Sequence, residues 1–395
     1  MADRRTVSGM AIAPLVWFAA TLLVLGFVPA VAWKLGHREE CPRPAAVRVA
    51  MAPDVSADDI WRTVIAAYRG AEVQVTEVSE VADLMTAELR ADGASRCPGY
   101  DVYALDVAAT AEFAAAGLLD PYPGKLTGLV GDLAEGGSWD RIQYGVPFAA
   151  DVGLLYRRPD LPEPRSWAEL WATGETLAAQ LADYEGGTVN LLELAGDLAA
   201  ARTADDNEQF GGSWSWREGE SLAAFAQGRT GYLRHWPYAY HRLRAQGVPF
   251  EVSALPGTPA LGGTNLAVAA GSGKAQEARA FIEYLLSPEV QRRLFACGGY
   301  PPVVAAAYTD VRPCDLPRPA DAADPPDRER LSAFAELVKG QLERAERPKL
   351  EHYPEYGEAY RRCLTLAVRE KEPEGMADVL AGARAGRMTG GEACG

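Results

Sequence analysis

Aromatic and charged side chains near the predicted ends of strands and helices are the residues of this chain best suited to chemistry. Six of them have the types that bind a polar ring compound: Asp106, Asp151, Glu185, Trp236, Tyr238 and Arg347. Aromatic rings stack on the apolar faces of a sugar, and charged groups hydrogen-bond to its hydroxyls. A cleft that excludes water would strengthen those bonds. Taken alone, each residue also fits a structural role as core aromatic, helix cap or ion-pair partner.

Signatures of catalysis are scarce in the sequence. The four histidines have no metal-binding spacing, and the chain contains no G-x-S-x-G turn. Residues 271–274 resemble a phosphate loop, but Ala275 stands where Ser or Thr would hold magnesium. We therefore expect a binding protein without catalytic residues, metal or cofactor, rather than an enzyme.

The elements that must position these residues alternate between strand and helix. The order β-α-β-α-β-α from Val47 to Ala115 predicts a parallel sheet with helices on both faces. Ligands of such sheets bind beyond the carboxyl ends of the strands, where Asp106 lies. The chain has 395 residues and a net charge of -15. It can bury a large core, and its acidity argues against nucleic acid as a partner.

The N-terminal segment, residues 1–33, differs from the rest. Arg4 and Arg5 precede an apolar run, Met10–Trp33, that is long enough for the roughly 20 residues of a membrane span. Ala30 and Ala32 also form a signal-cleavage pattern. An uncleaved transmembrane anchor and a cleaved signal are both open, and we favour the anchor. Either places residues 34–395 outside the cytoplasm, with residues 34–44 as a linker.

Cysteine usage agrees with an oxidising compartment. Six cysteines follow the apolar segment, and an even count there permits disulfides. Free buried thiols are the alternative. The spacing alone does not fix a connectivity.

Several motifs in a fixed order carry a resemblance to a known family. They are Asp101–Asp106, Tyr144–Tyr156, Tyr184–Gly186, Phe225–Gly228, Trp236–Tyr238, Gly262–Val268, Ser287–Gln291 and Arg347–Pro348. Residues 45–365 resemble the extracellular solute-binding proteins of ABC importers, of the maltose/trehalose type. The resemblance implies an α/β fold of type II, like that of periplasmic binding proteins, in which two lobes close on a ligand. It places lobe 1 at 45–148 and 262–312, and lobe 2 at 149–258 and 320–395.

The same resemblance implies the ligand contacts and the partners. Contacts would fall on Asp106, Asp151, Glu185, Trp236, Gly263 and Arg347, to which we add Tyr238 and Thr264. The ligand would be a small polar molecule, a sugar or oligosaccharide, and the partner an ABC importer permease; we expect a monomer. In this fold the first and third strands are neighbours, which favours a Cys41–Cys97 disulfide. Cys297–Cys314 and Cys363–Cys394 are further candidate pairs.

Two departures from the family pattern keep a second hypothesis open. Thr264 stands where sugar-binding members often carry tryptophan, and the stretch from Glu193 to Trp236 is short. A binding module repurposed for sensing or protein contact, with an eroded sugar cleft, would also fit. It predicts no sugar binding.

Overall fold

The computed structural model describes residues 44–56, 59–194, 203–204, 208–316 and 326–369. The predicted anchor or signal, residues 1–33, lies outside the described residues, as does most of the linker. Among the described residues, no helix has the length and apolar character to cross a bilayer. The elements below belong to the compact unit Arg43–Gly395.

Eleven strands lie in the described residues and build two main sheets and a small hairpin. They are β1 Val47–Met51, β2 Val73–Glu77, β3 Val102–Asp106, β4 Ser138–Trp139, β5 Ile142–Gln143, β6 Gly145–Val152, β7 Leu154–Arg157, β8 Leu177–Ala178, β9 Tyr232–His235, β10 Glu251–Ala254 and β11 Leu261–Val268. The first sheet has the order β2-β1-β3-β11-β6, and the second has the order β10-β7-β9-β8.

The first three strands confirm the predicted parallel arrangement, because β1 pairs in parallel with both β2 and β3. The continuation differs from the expectation of a purely parallel sheet. Strand β11 runs antiparallel to β3 and to β6. The glycine- and proline-rich composition of residues 257–263 predicts a linker, but β11 already begins at Leu261. The predicted lobe boundary between residues 148 and 149 falls within β6.

Eleven α-helices of four residues or more flank these sheets in the described part of the chain. They are α1 Ile60–Ala66, α2 Ala82–Gly93, α3 Thr110–Ala115, α4 Trp167–Ala172, α5 Glu185–Leu194, α6 Glu218–Ala226, α7 Ala239–Ala245, α8 Ala275–Leu285, α9 Pro288–Gly298, α10 Arg328–Leu342 and α11 Tyr353–Arg369. Two helices begin at residues typical of helix N-termini. At the start of α4, Ser166 accepts a hydrogen bond from the Glu169 amide (3.1 Å), and Pro288 occupies the first turn of α9. Gly70 is a typical helix stop in the sequence, but helix α1 already ends at Ala66.

Apolar side chains cover both faces of each main sheet. Val49 and Phe281 belong to the cluster that joins the first sheet to α1, α8 and α9, while Tyr103 and Phe113 pack on its other face. The second sheet packs against α4, α5 and α11 on one side and against α6, α7 and α10 on the other. Two sheets covered on both sides give two rigid platforms whose edges meet at the cavity described below.

Disulfides occur where the cysteine count suggested them. The Cys297–Cys314 bond is present and confirms that pairing. Cys97 and Cys363 are also disulfide-bonded. Since Cys41 and Cys394 lie outside the described residues, the Cys41–Cys97 and Cys363–Cys394 pairings stay predictions.

Candidate functional site

A cavity of about 410 Å³ lies where the two main sheets meet. Its volume falls within the roughly 300–1,000 Å³ of small-molecule sites. All eight residues predicted to contact a ligand line it: Asp106, Asp151, Glu185, Trp236, Tyr238, Gly263, Thr264 and Arg347. They come from six separate stretches of the chain, and the fold brings them together.

One wall of the cavity is the pairing of β6 with β11. Asp151 lies opposite Gly262, and the register shifts between Thr264 and Asn265. A Cβ on Gly262 would lie 3.2 Å from ring carbons of Trp236 and 3.2 Å from Cβ of Asp151. Gly263 has φ +124°, and a Cβ there would lie 2.3 Å from the Ala149 carbonyl oxygen. Gly262 therefore lets the indole and the Asp151 side chain approach the strand, and Gly263 lets the backbone of β6 lie close to β11.

A charged cluster around Arg347 forms a second wall. The Arg347 side chain, 5 % exposed, forms an ion pair with Glu185 and lies 3.7 Å from the nearer carboxylate oxygen of Asp106. Its Nε–H donates to the Tyr353 hydroxyl (2.9 Å), and another N–H donates to the Leu261 carbonyl (2.8 Å). Tyr353 in turn donates to Glu185 (2.8 Å). This arginine is thus held by protein groups on several sides.

Asp106 combines the two roles that were open for it. One carboxylate oxygen accepts a hydrogen bond from the Ala108 amide at 2.8 Å, as in an Asx turn after a strand. The same side chain is 22 % exposed, lines the cavity and lies opposite Arg347. A local capping role and a place in the cavity therefore coexist.

Trp236 forms the third wall, between two charged groups. The Arg234 guanidinium lies 3.9 Å from the centroid of the indole, a cation–π contact. The indole N–H donates to the Glu218 carboxylate at 3.3 Å. Arg234 itself is bound to Glu193 through two hydrogen bonds of 2.6 and 2.7 Å. The ring is half-buried and fixed in orientation, as a stacking surface must be.

Comparison with known proteins gives this cavity a context. The sequence model of the bacterial extracellular solute-binding protein family matches residues 65–322. The chain belongs to this family. Among curated relatives, a probable ABC transporter-binding protein of Deinococcus radiodurans is 26 % identical over 219 residues, which are 42 % of this chain and 52 % of the relative. The chain thus spans about half the length of that relative.

Solved structures show that this solute-binding protein has the two-lobed fold of periplasmic binding proteins. Maltose-bound MalE3 of T. maritima aligns with TM-score 0.69 and 19 % identity over 87 % of this chain and 98 % of that one. A Thermotoga lettingae ABC transporter solute-binding protein with bound alpha-D-tagatose aligns with a TM-score of 0.68 and 19 % identity, over 87 % of this chain and 100 % of that chain. The GacH receptor of Streptomyces glaucescens aligns with a TM-score of 0.67 and 18 % identity, over 86 % of this chain and 97 % of that chain. Family membership places the binding unit outside the cytoplasm.

Burial sets the electrostatics of the cavity in this solute-binding protein. Desolvation raises the pKa of Asp151 to about 7, and nearby Asp106 and Glu218 raise it further, whereas Arg234 opposes the shift. Desolvation likewise raises the pKa of Glu185 to about 7, against the opposing charge of Arg347. Both carboxyls are therefore poised to change charge near neutral pH.

Some cavity residues of the solute-binding protein carried no sequence signal. The polar, Gly- and Ser-rich composition of residues 202–220 predicts a loop, yet α6 begins at Glu218 and places that carboxylate in the cavity. Glu185 was expected in a loop, but it begins α5. Tyr300 lines the cavity after α9 and donates to Asp54 at 2.6 Å. Within the described ranges, no group of three His, Cys, Asp or Glu side chains is arranged to hold a metal ion.

Proposed function

We propose that this solute-binding protein captures a sugar or oligosaccharide in the cavity between its lobes and delivers it to an ABC importer permease. The observation that carries the proposal is the convergence of eight residues of sugar-binding type, from distant stretches of sequence, on one cavity of about 410 Å³. The maltose-bound and tagatose-bound neighbours of the same fold support a sugar as ligand. The probable ABC transporter-binding relative supports the importer as partner.

The proposed contacts divide into an apolar and a polar group. Trp236 would stack on the apolar face of a sugar ring, and Tyr238 would donate a hydrogen bond from its hydroxyl. Asp106, Asp151 and Glu185 would accept hydrogen bonds from sugar hydroxyls. Gly263 and Thr264 would approach the ligand through their backbone. Thr264 lacks the ring that sugar-binding relatives often carry, so stacking would depend on Trp236.

The remaining parts of the proposal concern organisation. Lobe 1 would comprise residues 45–148 and 262–312, and lobe 2 residues 149–258 and 320–395. Closure of the lobes would bring Asp106, from the first sheet, against Arg347 and Glu185. Residues 1–33 would hold the monomeric binding unit at the membrane as an uncleaved anchor. No catalytic step is assigned to the cavity.

A thermal-shift panel of mono-, di- and trisaccharides tests the ligand class. A ligand that binds only the folded state at 100 times its dissociation constant adds about 2.7 kcal/mol of stability. We expect one sugar class to raise the melting temperature of the wild-type chain. Trp236→Ala should remove that response while a cooperative melt is retained, whereas Trp139→Ala, at a half-buried tryptophan outside the cavity, should keep it.

Two other results would change the assignment. A Trp236→Ala variant that binds like the wild type would show that the sugar does not use this cavity. A flat panel with a cooperative wild-type melt would favour a binding module repurposed for sensing or protein contact. That second function is favoured by Thr264, which stands where sugar-binding members of the family often carry tryptophan.

A further inference from the structure

The cavity walls carry far more negative than positive charge. Its ionisable lining consists of six carboxylates and two guanidiniums: Glu80, Asp106, Asp151, Glu185, Glu218, Glu220, Arg217 and Arg347. Of the two arginines, Arg217 is exposed at the rim. Arg347 is 5 % exposed and already faces two of the carboxylates. A neutral ligand would therefore enter a strongly acidic site.

Two polar side chains that face this cavity have no partner in the described part of the protein. The Asp151 carboxylate makes no hydrogen bond or ion pair there, and neither does the hydroxyl of Tyr238, a residue only 9 % exposed. Both residues line the cavity. Tyr238 is buried and Asp151 is half-buried. Polar groups with restricted access to water are normally paired, so these two side chains leave a place for a polar ligand group in the cavity.

Arg234 does not supply the missing charge for Asp151. It is near enough to influence that carboxylate, but its two hydrogen bonds to Glu193 already neutralise it. The other ionisable groups that act on Asp151 are Asp106 and Glu218. Tyr238 and Tyr300 are uncharged neighbours. The local charge around Asp151 is thus negative, and a cation from the ligand would balance it.

We propose that the ligand is an amine-bearing sugar whose ammonium group pairs with Asp151 while its ring lies on Trp236. This inference rests on the proposed sugar-binding function and specifies its substrate class. An amino acid fits less well, because its carboxylate would need a free cation and the buried arginine is engaged. A polyamine would leave the indole without a ring to stack on. An ammonium group can donate hydrogen bonds to both the Asp151 carboxylate and the Tyr238 oxygen.

Matched sugar triplets test the charge preference. Titration calorimetry on the full-length chain in mild detergent at pH 7 would compare glucose, glucosamine and N-acetylglucosamine, and the galactose and mannose equivalents. We expect at least one amino sugar to bind roughly 10- to 100-fold more tightly than both of its neutral partners, as a charge-assisted hydrogen bond would give. Asp151→Asn should abolish the difference. Asp160→Asn, the same change at an exposed turn, should preserve it.

The pH dependence provides a second measurement that needs no variant. Since burial raises the pKa of Asp151 to about 7, the carboxylate needed for the pair forms between pH 5.5 and 7. Over that range, affinity for the amino sugar should rise about tenfold relative to affinity for the matched neutral sugars. This titration decides the question if Asp151→Asn fails to fold.

The failures of the two proposals are distinguishable. Neutral sugars that bind as tightly as their amines, or a charge preference that survives in Asp151→Asn, would overturn the amino-sugar inference and leave sugar binding intact. If no sugar of any triplet and no neutral oligosaccharide binds, the proposed function is wrong and this inference falls with it.

Discussion

The buried ion pair beneath the cavity gives the sharpest stability prediction. Arg234 and Glu193 have side chains 2 % and 1 % exposed, and two hydrogen bonds of 2.6 and 2.7 Å join them. Arg234→Met removes one charge and leaves the Glu193 carboxylate buried without its partner. Removing one member of a buried pair costs about 3–5 kcal/mol, since the remaining charge keeps its desolvation penalty. We expect a loss of that size in urea unfolding at pH 7.

A matched pair on the surface supplies the control. Arg293 and Asp315 make the same two-bond geometry, at 3.1 and 2.9 Å, but their side chains are 29 % and 64 % exposed. Water screens such a pair, so Arg293→Met should cost about 0–1 kcal/mol. Combining Arg234→Met with Glu193→Leu should recover part of the loss, because no unpaired charge remains. Equal costs for the two arginine variants would refute the reasoning from burial.

Three further predictions follow from the geometry. Replacing Cys297 and Cys314 by serine should lower the free energy of unfolding by about 3 kcal/mol, the loop-entropy value for a sequence separation of 17 residues. A denaturation curve of the variant, compared with that of the oxidised wild type, measures this loss. Gly263→Ala should lower the melting temperature and weaken ligand binding, because the new Cβ would collide with the backbone of β6 at a φ of +124°; unchanged values would show that the strand relaxes freely. Burial raises the pKa of Asp151 to about 7 in the folded protein. The folded protein therefore keeps a proton that the unfolded chain releases above about pH 4, and the contribution of this group to stability is lost as pH rises through 7. Asp151→Asn should therefore gain in melting temperature relative to wild type from pH 5 to 8, and a difference that stays flat with pH would contradict the shift.

Most of the fold could be predicted from the sequence because its local signals agree with its packing. The alternation of apolar strands and amphipathic helices up to Ala115 gave β1 to β3 and the helices between them. Strand β11 was missed at its beginning because Gly262 and Gly263 have the composition of a linker. The glycines are required there by contacts with Trp236 and with β6, which only the folded structure reveals.

The lining of the cavity could be predicted in part from the sequence, whereas the charge of the cavity could not. The family resemblance implied six of the predicted residues, to which Tyr238 and Thr264 were added, and all eight line the cavity. Glu218 could not be found this way, because it begins α6 at the end of a polar stretch with no apolar periodicity. Nor does sequence indicate that Arg347 is bound to Glu185, Tyr353 and a backbone carbonyl. The net charge that a ligand meets depends on such pairings.

The same pairings link stability to recognition. Protein carboxylates hold the buried arginines near the cavity, Arg234, Arg347 and Arg361, so the groups left to face a ligand are mostly acidic and incompletely solvated. This arrangement has a cost, since burial disfavours the charged forms of Asp151 and Glu185 near neutral pH. A cationic ligand would favour the charged form of Asp151 and so offset part of that cost. Ligand stabilisation should consequently grow with pH up to neutrality, which ties the chemistry of the ligand to the folding energetics of the protein that holds it.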